Sequence, residues 1–313
     1  MRLAITYTRT IILGLATAWL AGTVLSADFA WPFLLLREAR NLILDATLPQ
    51  PTAQQPIVFD RFGRLSGYYG KELAPCPRQD ARTAVLLVIG QSNSANTGEG
   101  TQASAHGSRI VNLFQGNCYR GDSPLLGAAG ADGEAWTLLA NRLVSAGRYE
   151  QVVLVASGIN GSRIARWQPG GDLNRMLMRV LDAAQAQYKI THVLWHQGEA
   201  DYDLGTSEEA YRRMFLALVS DLRARGIAAP VFVSVASRCN VREERLTDNA
   251  IARAQRSLPD PARNIRAGPD TDALLGTSRR RDGCHFNTAG LEVAAAAWEA
   301  AFVDSAPQFR SAR

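Results

Sequence analysis

The stretch from Ala84 to Asn93, AVLLVIGQSN, carries an unbroken aliphatic series into a glycine and then three polar residues. A run of that length, ending in turn chemistry, reads as a strand buried on both faces, and strands of that kind belong to parallel sheets. Ser92 then sits in the turn at the strand's carboxyl end. There its hydroxyl is either a nucleophile or an ordinary turn residue.

Outward from this stretch the same pattern recurs. RIVNLF (109–114), QVVLVAS (151–157), THVLWHQ (191–197) and PVFVSVAS (230–237) have the length and β-branched content of buried strands. Amphipathic segments separate them. Leu173, Met176, Leu177, Val180, Leu181 and Ala184 follow helical spacing, as do Tyr211, Met214, Phe215, Leu218, Val219 and Leu222. Strands alternating with helices imply right-handed crossovers and an α/β class: a three-layer α/β/α sandwich around a mainly parallel sheet. In such sheets ligands gather outside the carboxyl ends of the strands. The polar clusters GQSNS, SGINGS, HQGEAD and SRCN, each following one of these runs, should therefore project from one edge.

Composition bounds the rest. The chain has 313 residues, 47% of them hydrophobic and 20% charged, which suits one main globular domain. Its net charge of +5 comes from bases that are all arginine except Lys71 and Lys189, scattered without a dense run, so nucleic acid is not an expected partner. After Arg2 and Arg9, Ile11 to Ala27 carries no charge and reads as an export signal or a membrane anchor. A membrane is then a partner only if that segment stays uncleaved. The organisation expected is a signal or anchor over 1–27, a linker or packing arm over 28–79 broken by Pro49, Pro51, Pro56, Pro75 and Pro77, a catalytic domain over 80–305 and a tail over 306–313. In an exported chain, Cys76, Cys118, Cys239 and Cys284 are candidates for two disulfides, with three connectivities open. No Cys or His spacing suggests a metal site, no cofactor is expected, and nothing in the sequence sets an oligomeric state.

Acyl-transfer chemistry at the sheet edge needs a nucleophile, a base, a group that orients the base, and donors for the oxyanion. Only one of the four histidines has a carboxylate at an inviting spacing, His285 with Asp282 in RDGCHFNTAG (281–290). The alternative is that Asp282 caps a turn ahead of the helix AGLEVAAAAWEAAF (289–302). His106, His192 and His196 read as structural or solvated. Glu199 and Asp201 stand two apart on a loop and read as braces rather than a glycosidase pair, Asn93 as a tie within the nucleophile turn. Trp167 and Trp195 either pack in the core or flank a sugar ring.

GQSN after the first strong strand, HQGEAD after a later one and DGCHF near the C-terminus together resemble the SGNH/GDSL hydrolases, in the branch of sialate O-acetylesterases and related carbohydrate acetylesterases, over roughly residues 80 to 303. The resemblance implies a flavodoxin-like fold, a Ser92-Asp282-His285 triad and no metal. It also implies an oxyanion hole made by the Ser92 N–H, a glycine-loop N–H and the Gln197 side-chain amide. GINGSRIARW (158–167) is similar to the family's glycine loop, with Gly161, Ser162, Ile164 and Trp167 in place but Asn160 at the first glycine position. Asparagine tolerates positive φ better than most residues, so the loop's geometry can survive; the donor is the N–H of Gly161 or of Asn160, with Gly161 preferred. The activity implied is that of an exported serine esterase removing O-acetyl groups from a carbohydrate. The same triad would suit an O-acyltransferase, and a non-catalytic glycan-binding relative would be expected to lack it. On this fold Cys239 and Cys284 share one sheet edge, which pairs them and leaves Cys76 with Cys118. Closing the loop between Cys239 and Cys284 is worth about 3 to 4 kcal/mol.

Overall fold

The computed structural model describes residues 57–239, 248–274 and 278–304. An antiparallel hairpin of β1 (Ile57–Phe59) and β2 (Leu65–Tyr68) leads into a seven-stranded sheet. Its strands are β3 (Thr83–Gly90), β4 (Ile110–Phe114), β5 (Asn117–Arg120), β6 (Gln151–Ala156), β7 (His192–His196), β8 (Val231–Val235) and β9 (Ile265–Asp270), ordered β5-β4-β6-β3-β7-β8-β9. All neighbours pair in parallel except β4 and β5. The five aliphatic runs are β3, β4, β6, β7 and β8. Central β3 lies between β6 and β7, so the chain's path reverses around it, which is where a doubly wound sheet opens a crevice.

The strands are hydrophobic throughout because both faces are covered. Val85, Leu87, Ile89, Val153, Val155, Val193 and Trp195 face one layer, built from α2 (Asp172–Gln185), α4 (Glu208–Ala224) and α5 (Ala250–Arg256). The alternate residues Ala84, Leu86, Val88, Val152, Leu154 and Leu194 face α1 (Ala135–Ser145) and α6 (Thr288–Asp304). A short helix, α3 (Glu199–Asp203), lies just beyond β7. Three of the helices begin on side-chain caps: Glu134 accepts from the N–H groups of Trp136 and Thr137, Ser207 from Ala210, and Asn249 from Ile251 and Ala252. Trp167 and Trp195 are fully buried, edge to face with centroids 5.7 Å apart, so they are core and not a sugar platform.

Two strands of the sheet are absent from the sequence reading. β5 follows a two-residue turn in which Gln115 and Gly116 both have positive φ, the geometry a tight hairpin needs. β9 carries Gly268 and Pro269, which read as a loop but are tolerated on the edge strand that it is.

The described part of the expected arm is packed against the sheet. Leu65 is buried with Phe114 and Leu126, Lys71 Nζ donates to the carbonyls of Arg120 and Asp122, and a disulfide joins Cys76 to Cys118. A second disulfide joins Cys239 to Cys284. The signal or anchor over 1–27 and the tail over 306–313 lie outside the described residues. No helix among the described residues is long and apolar enough to cross a membrane.

Gly90 shows why the first motif starts with glycine. Its φ is +137°, and a Cβ there would stand 2.0 Å from the carbonyl oxygen of His196 on β7. Because neither backbone can retreat within the sheet, Gly90→Ala should cost on the order of 3 kcal/mol or more. Urea unfolding followed by circular dichroism should show that loss; a variant with an unchanged midpoint would refute the close packing of β3 on β7.

Candidate active site

The clusters after β3, β6, β7 and β8 do gather at one edge. Ser92 opens a 3-10 turn directly past β3, its carbonyl held by the Ala95 N–H at 2.8 Å and Thr97 Oγ1 at 2.6 Å. The glycine loop after β6 is tied to the same strand end, with the Ile159 N–H donating to Gly90 O at 2.9 Å. Positive φ falls on Gly161, at +58°, and not on Asn160, so asparagine at the earlier position needs no unusual backbone. Both residues are exposed, and among the described residues the N–H groups of Ser92, Asn160 and Gly161 have no hydrogen-bond partner.

The Asp282 to His285 turn closes the site from the C-terminal side. Asp282 Oδ2 lies 2.7 Å from His285 Nδ1, while Oδ1 accepts from the N–H groups of Cys284 at 2.9 Å and His285 at 2.7 Å. Partial burial raises the Asp282 pKa, but the hydrogen bonds from the His285 ring and the two N–H groups outweigh it and bring it to about 2. The carboxylate is therefore ionised at neutral pH. It holds the ring by Nδ1, leaving Nε2 as the nitrogen that can work. Among the described residues Ser92 Oγ makes no direct hydrogen bond to His285; such bonds commonly close only around bound substrate. Asn93 ties the two segments directly, its Nδ2 donating to Cys284 O at 3.3 Å.

The other histidines stay out of the site chemistry. His192 stacks on Phe302 with centroids 4.6 Å apart, and burial lowers its pKa to about 4. His196 bonds Thr271 Oγ1 at 2.9 Å; burial, then Arg280, lower its pKa to about 3. His106 pairs with Ser145 Oγ and Arg109.

Gln197 departs from the role the resemblance implies. It is fully buried, and its Nε2 lies 2.6 Å from Asp201 Oδ2, 3.0 Å from Ser162 O and 3.3 Å from Gln91 Oε1. Its Oε1 accepts from the Tyr211 hydroxyl at 3.1 Å. An amide so engaged braces the glycine loop against β7 and has no hydrogen left for an oxyanion. Asp201 works with it, taking the Ile164 N–H at 2.7 Å and the Thr206 hydroxyl at 2.8 Å.

Sequence reasoning missed three supports. Gln91 Oε1 accepts from the N–H groups of Gly198 and Ala200 and so anchors α3 to the Ser92 turn. Arg280 Nη1 donates to Cys284 O and its guanidinium lies over the Phe286 ring. Asp272 binds the N–H groups of Ser237 and Arg238 and the Ser237 hydroxyl, fixing the end of β8 next to Cys239. Only Gln91 carried a signal, its place directly after β3; Asp272 and Arg280 follow β9, a strand the sequence does not announce. Among the described residues no cluster of His, Cys, Asp and Glu could hold a metal ion.

A family model described as carbohydrate esterase, sialic acid-specific acetylesterase, matches residues 82–302. Among solved structures, a protein of Arabidopsis thaliana is 17% identical with a TM-score of 0.55, covering 72% of this chain and 98% of its own. A carbohydrate acetylesterase from Xanthomonas citri is 16% identical with a TM-score of 0.47, over 70% of this chain and 55% of its own. A variant of an acetyl xylan esterase from Geobacillus stearothermophilus is 15% identical with a TM-score of 0.45, over 72% and 95%. Among curated proteins none matches significantly.

Glu199 is the site's one carboxylate with a strongly raised pKa. Burial lifts it from 4.5 to about 7, with Asp272 adding to the rise while its own backbone N–H, Asn93 and Arg280 oppose it. A carboxyl group with a raised pKa favours the folded state fully only below its unfolded value, and that advantage is lost as pH rises from 4.5 through about 7. The Glu199→Gln variant should therefore gain stability relative to wild type across that window, by about 3 kcal/mol at most. The depressed histidines titrate in both proteins and cancel in the difference. Paired thermal melts at pH 5 and pH 8 measure it; an equal difference at both pH values would contradict the raised pKa.

Proposed function

Because the chain belongs to the carbohydrate esterase, sialic acid-specific acetylesterase family, we propose that it removes O-acetyl groups from a carbohydrate through an acetyl-enzyme on Ser92. The observation that carries this reading is the Asp282–His285 pair, with Nδ1 held at 2.7 Å, on a turn hydrogen-bonded to the residue next to Ser92. The enzyme class is that of a carboxylic ester hydrolase.

Ser92 Oγ attacks the acetyl carbonyl carbon as His285 Nε2 takes the hydroxyl proton. Asp282 stays ionised and stabilises the imidazolium through Nδ1. The new oxyanion sits against the Ser92 and Gly161 N–H groups, whose hydrogens no group among the described residues takes. Collapse breaks the bond to the sugar oxygen, which receives the proton from His285. Water, activated by the same imidazole, then attacks the acetyl-enzyme and releases acetate. In this reading Gln197 shapes the hole by holding the glycine loop and does not line it.

Two disulfides suit an oxidising compartment outside the cytoplasm. Together with the uncharged segment 11–27, they support export, with the acetylated carbohydrate met outside the cytoplasm.

Acetate release from a panel of acetylated glycans and from 4-nitrophenyl acetate tests the reading. Ser92→Ala should abolish turnover, and Asp282→Asn should lower kcat about 1,000- to 10,000-fold by leaving the imidazole in the wrong tautomer. A Ser92→Ala protein as active as wild type would refute the mechanism.

A further inference from the structure

Glu199 is a fully buried carboxyl group that the proposed steps do not use. Its Oε1 accepts from Asn93 Nδ2 at 3.1 Å, and among the described residues its Oε2 has no hydrogen-bond partner. An uncompensated buried carboxylate is destabilising, and an apolar or amide side chain of similar size would remove that cost. A group of this kind beside a reactive centre calls for a reason other than stability.

The reason lies in what Asn93 does with its two amide hydrogens. One goes to Glu199 Oε1 and one to Cys284 O, 191 residues away along the chain. The Asn93 side chain could otherwise turn its amide over, placing Oδ1 against the Cys284 carbonyl. Two acceptors, one on each hydrogen, exclude that orientation. Cys284 O also takes Arg280 Nη1, so the carbonyl immediately before His285 is held from two directions. Asn93 itself is the residue immediately after Ser92. The chain of contacts from Glu199 through Asn93 to Cys284 therefore links the backbone of the nucleophile to the backbone of the base.

We propose that Glu199 is a positioning residue: by accepting from Asn93 Nδ2 it fixes the amide that docks the Cys284 carbonyl, and so sets the His285 imidazole against the Ser92 hydroxyl. The inference rests on the reading of Ser92 and His285 as nucleophile and base. Glu199 touches no reacting atom, and its effect falls on the chemical step, not on substrate affinity.

Glu199→Leu removes the acceptor together with the buried charge, whereas Glu199→Gln keeps an acceptor oxygen. Each variant is compared with wild type for aryl-acetate kcat and KM, for the rate at which a fluorophosphonate labels Ser92, and for melting temperature. Glu199→Leu should lower kcat and the labelling rate together by about 10- to 100-fold, a size usual for small misplacements of reacting groups. Its KM should change less than about twofold and its melting temperature at pH 8 should hold or rise. Glu199→Gln should restore kcat to within about threefold of wild type. A Glu199→Leu protein that melts like wild type and keeps its kcat and labelling rate overturns the proposal. So does a Glu199→Gln protein that is folded but as impaired as Glu199→Leu. If the wild type neither turns over ester nor labels at Ser92, the esterase reading itself fails, a result distinct from either of these.

Discussion

One side-chain amide joins three of the chain segments that meet at the site. Asn93, on the turn after β3, donates to Glu199 on α3 and to the carbonyl of Cys284 beside His285. Everything else in the fold serves to bring those groups within reach. The parallel sheet delivers β3 and β7 side by side with their carboxyl ends level, as the pairing of Gly90 with His196 shows. The Cys239–Cys284 disulfide binds the C-terminal turn to the chain just past β8, whose end Asp272 fixes, two strands from β3.

The site has a rigid floor of amides and carboxylates below a more exposed rim. Gln91, Gln197, Glu199 and Asp201 are all nearly inaccessible to solvent and bond mostly to backbone and to one another. Inside such a low-dielectric network each hydrogen bond gains strength and each unmet group becomes costly. Asp282 and His285 stand above it with side chains 46% and 25% exposed, so the proposed acid and base are open to solvent. The carboxylates therefore differ in ionisation, since hydrogen bonds hold Asp282 charged while burial leaves Glu199 close to titration at neutral pH.

The five central strands were legible because two-sided burial writes itself as continuous aliphatic sequence, and the helices because their apolar stripes follow the helical period. Edge strands escaped detection for the opposite reason. β5 and β9 bury less and carry Gly116, Gly268 and Pro269 in or beside them, residues that locally signal turns. At the site, strand ends singled out Ser92 and the glycine loop, and the spacing of Asp282 and His285 together with the family resemblance supplied the proposed triad. The direction in which an amide points did not. Gln197 and Asn93 both follow strands with similar polar neighbours, yet one is locked among Asp201, Ser162 and Tyr211 and the other bridges two segments more than a hundred residues off. Such choices are made by tertiary packing, and no local pattern encodes them.

Catalysis of the kind proposed requires the base near the C-terminus to meet the hydroxyl introduced after β3. A crystal structure of the protein inactivated by a small alkyl phosphonate would reveal that meeting, since the adduct mimics the tetrahedral intermediate. Phosphorus should be bonded to Ser92 Oγ, with His285 Nε2 within hydrogen-bonding distance of one adduct oxygen and a second oxygen against the N–H groups of Ser92 and Gly161. An adduct on another residue, or an imidazole turned away from Ser92 with Asp282 unpaired, would overturn the proposed chemistry.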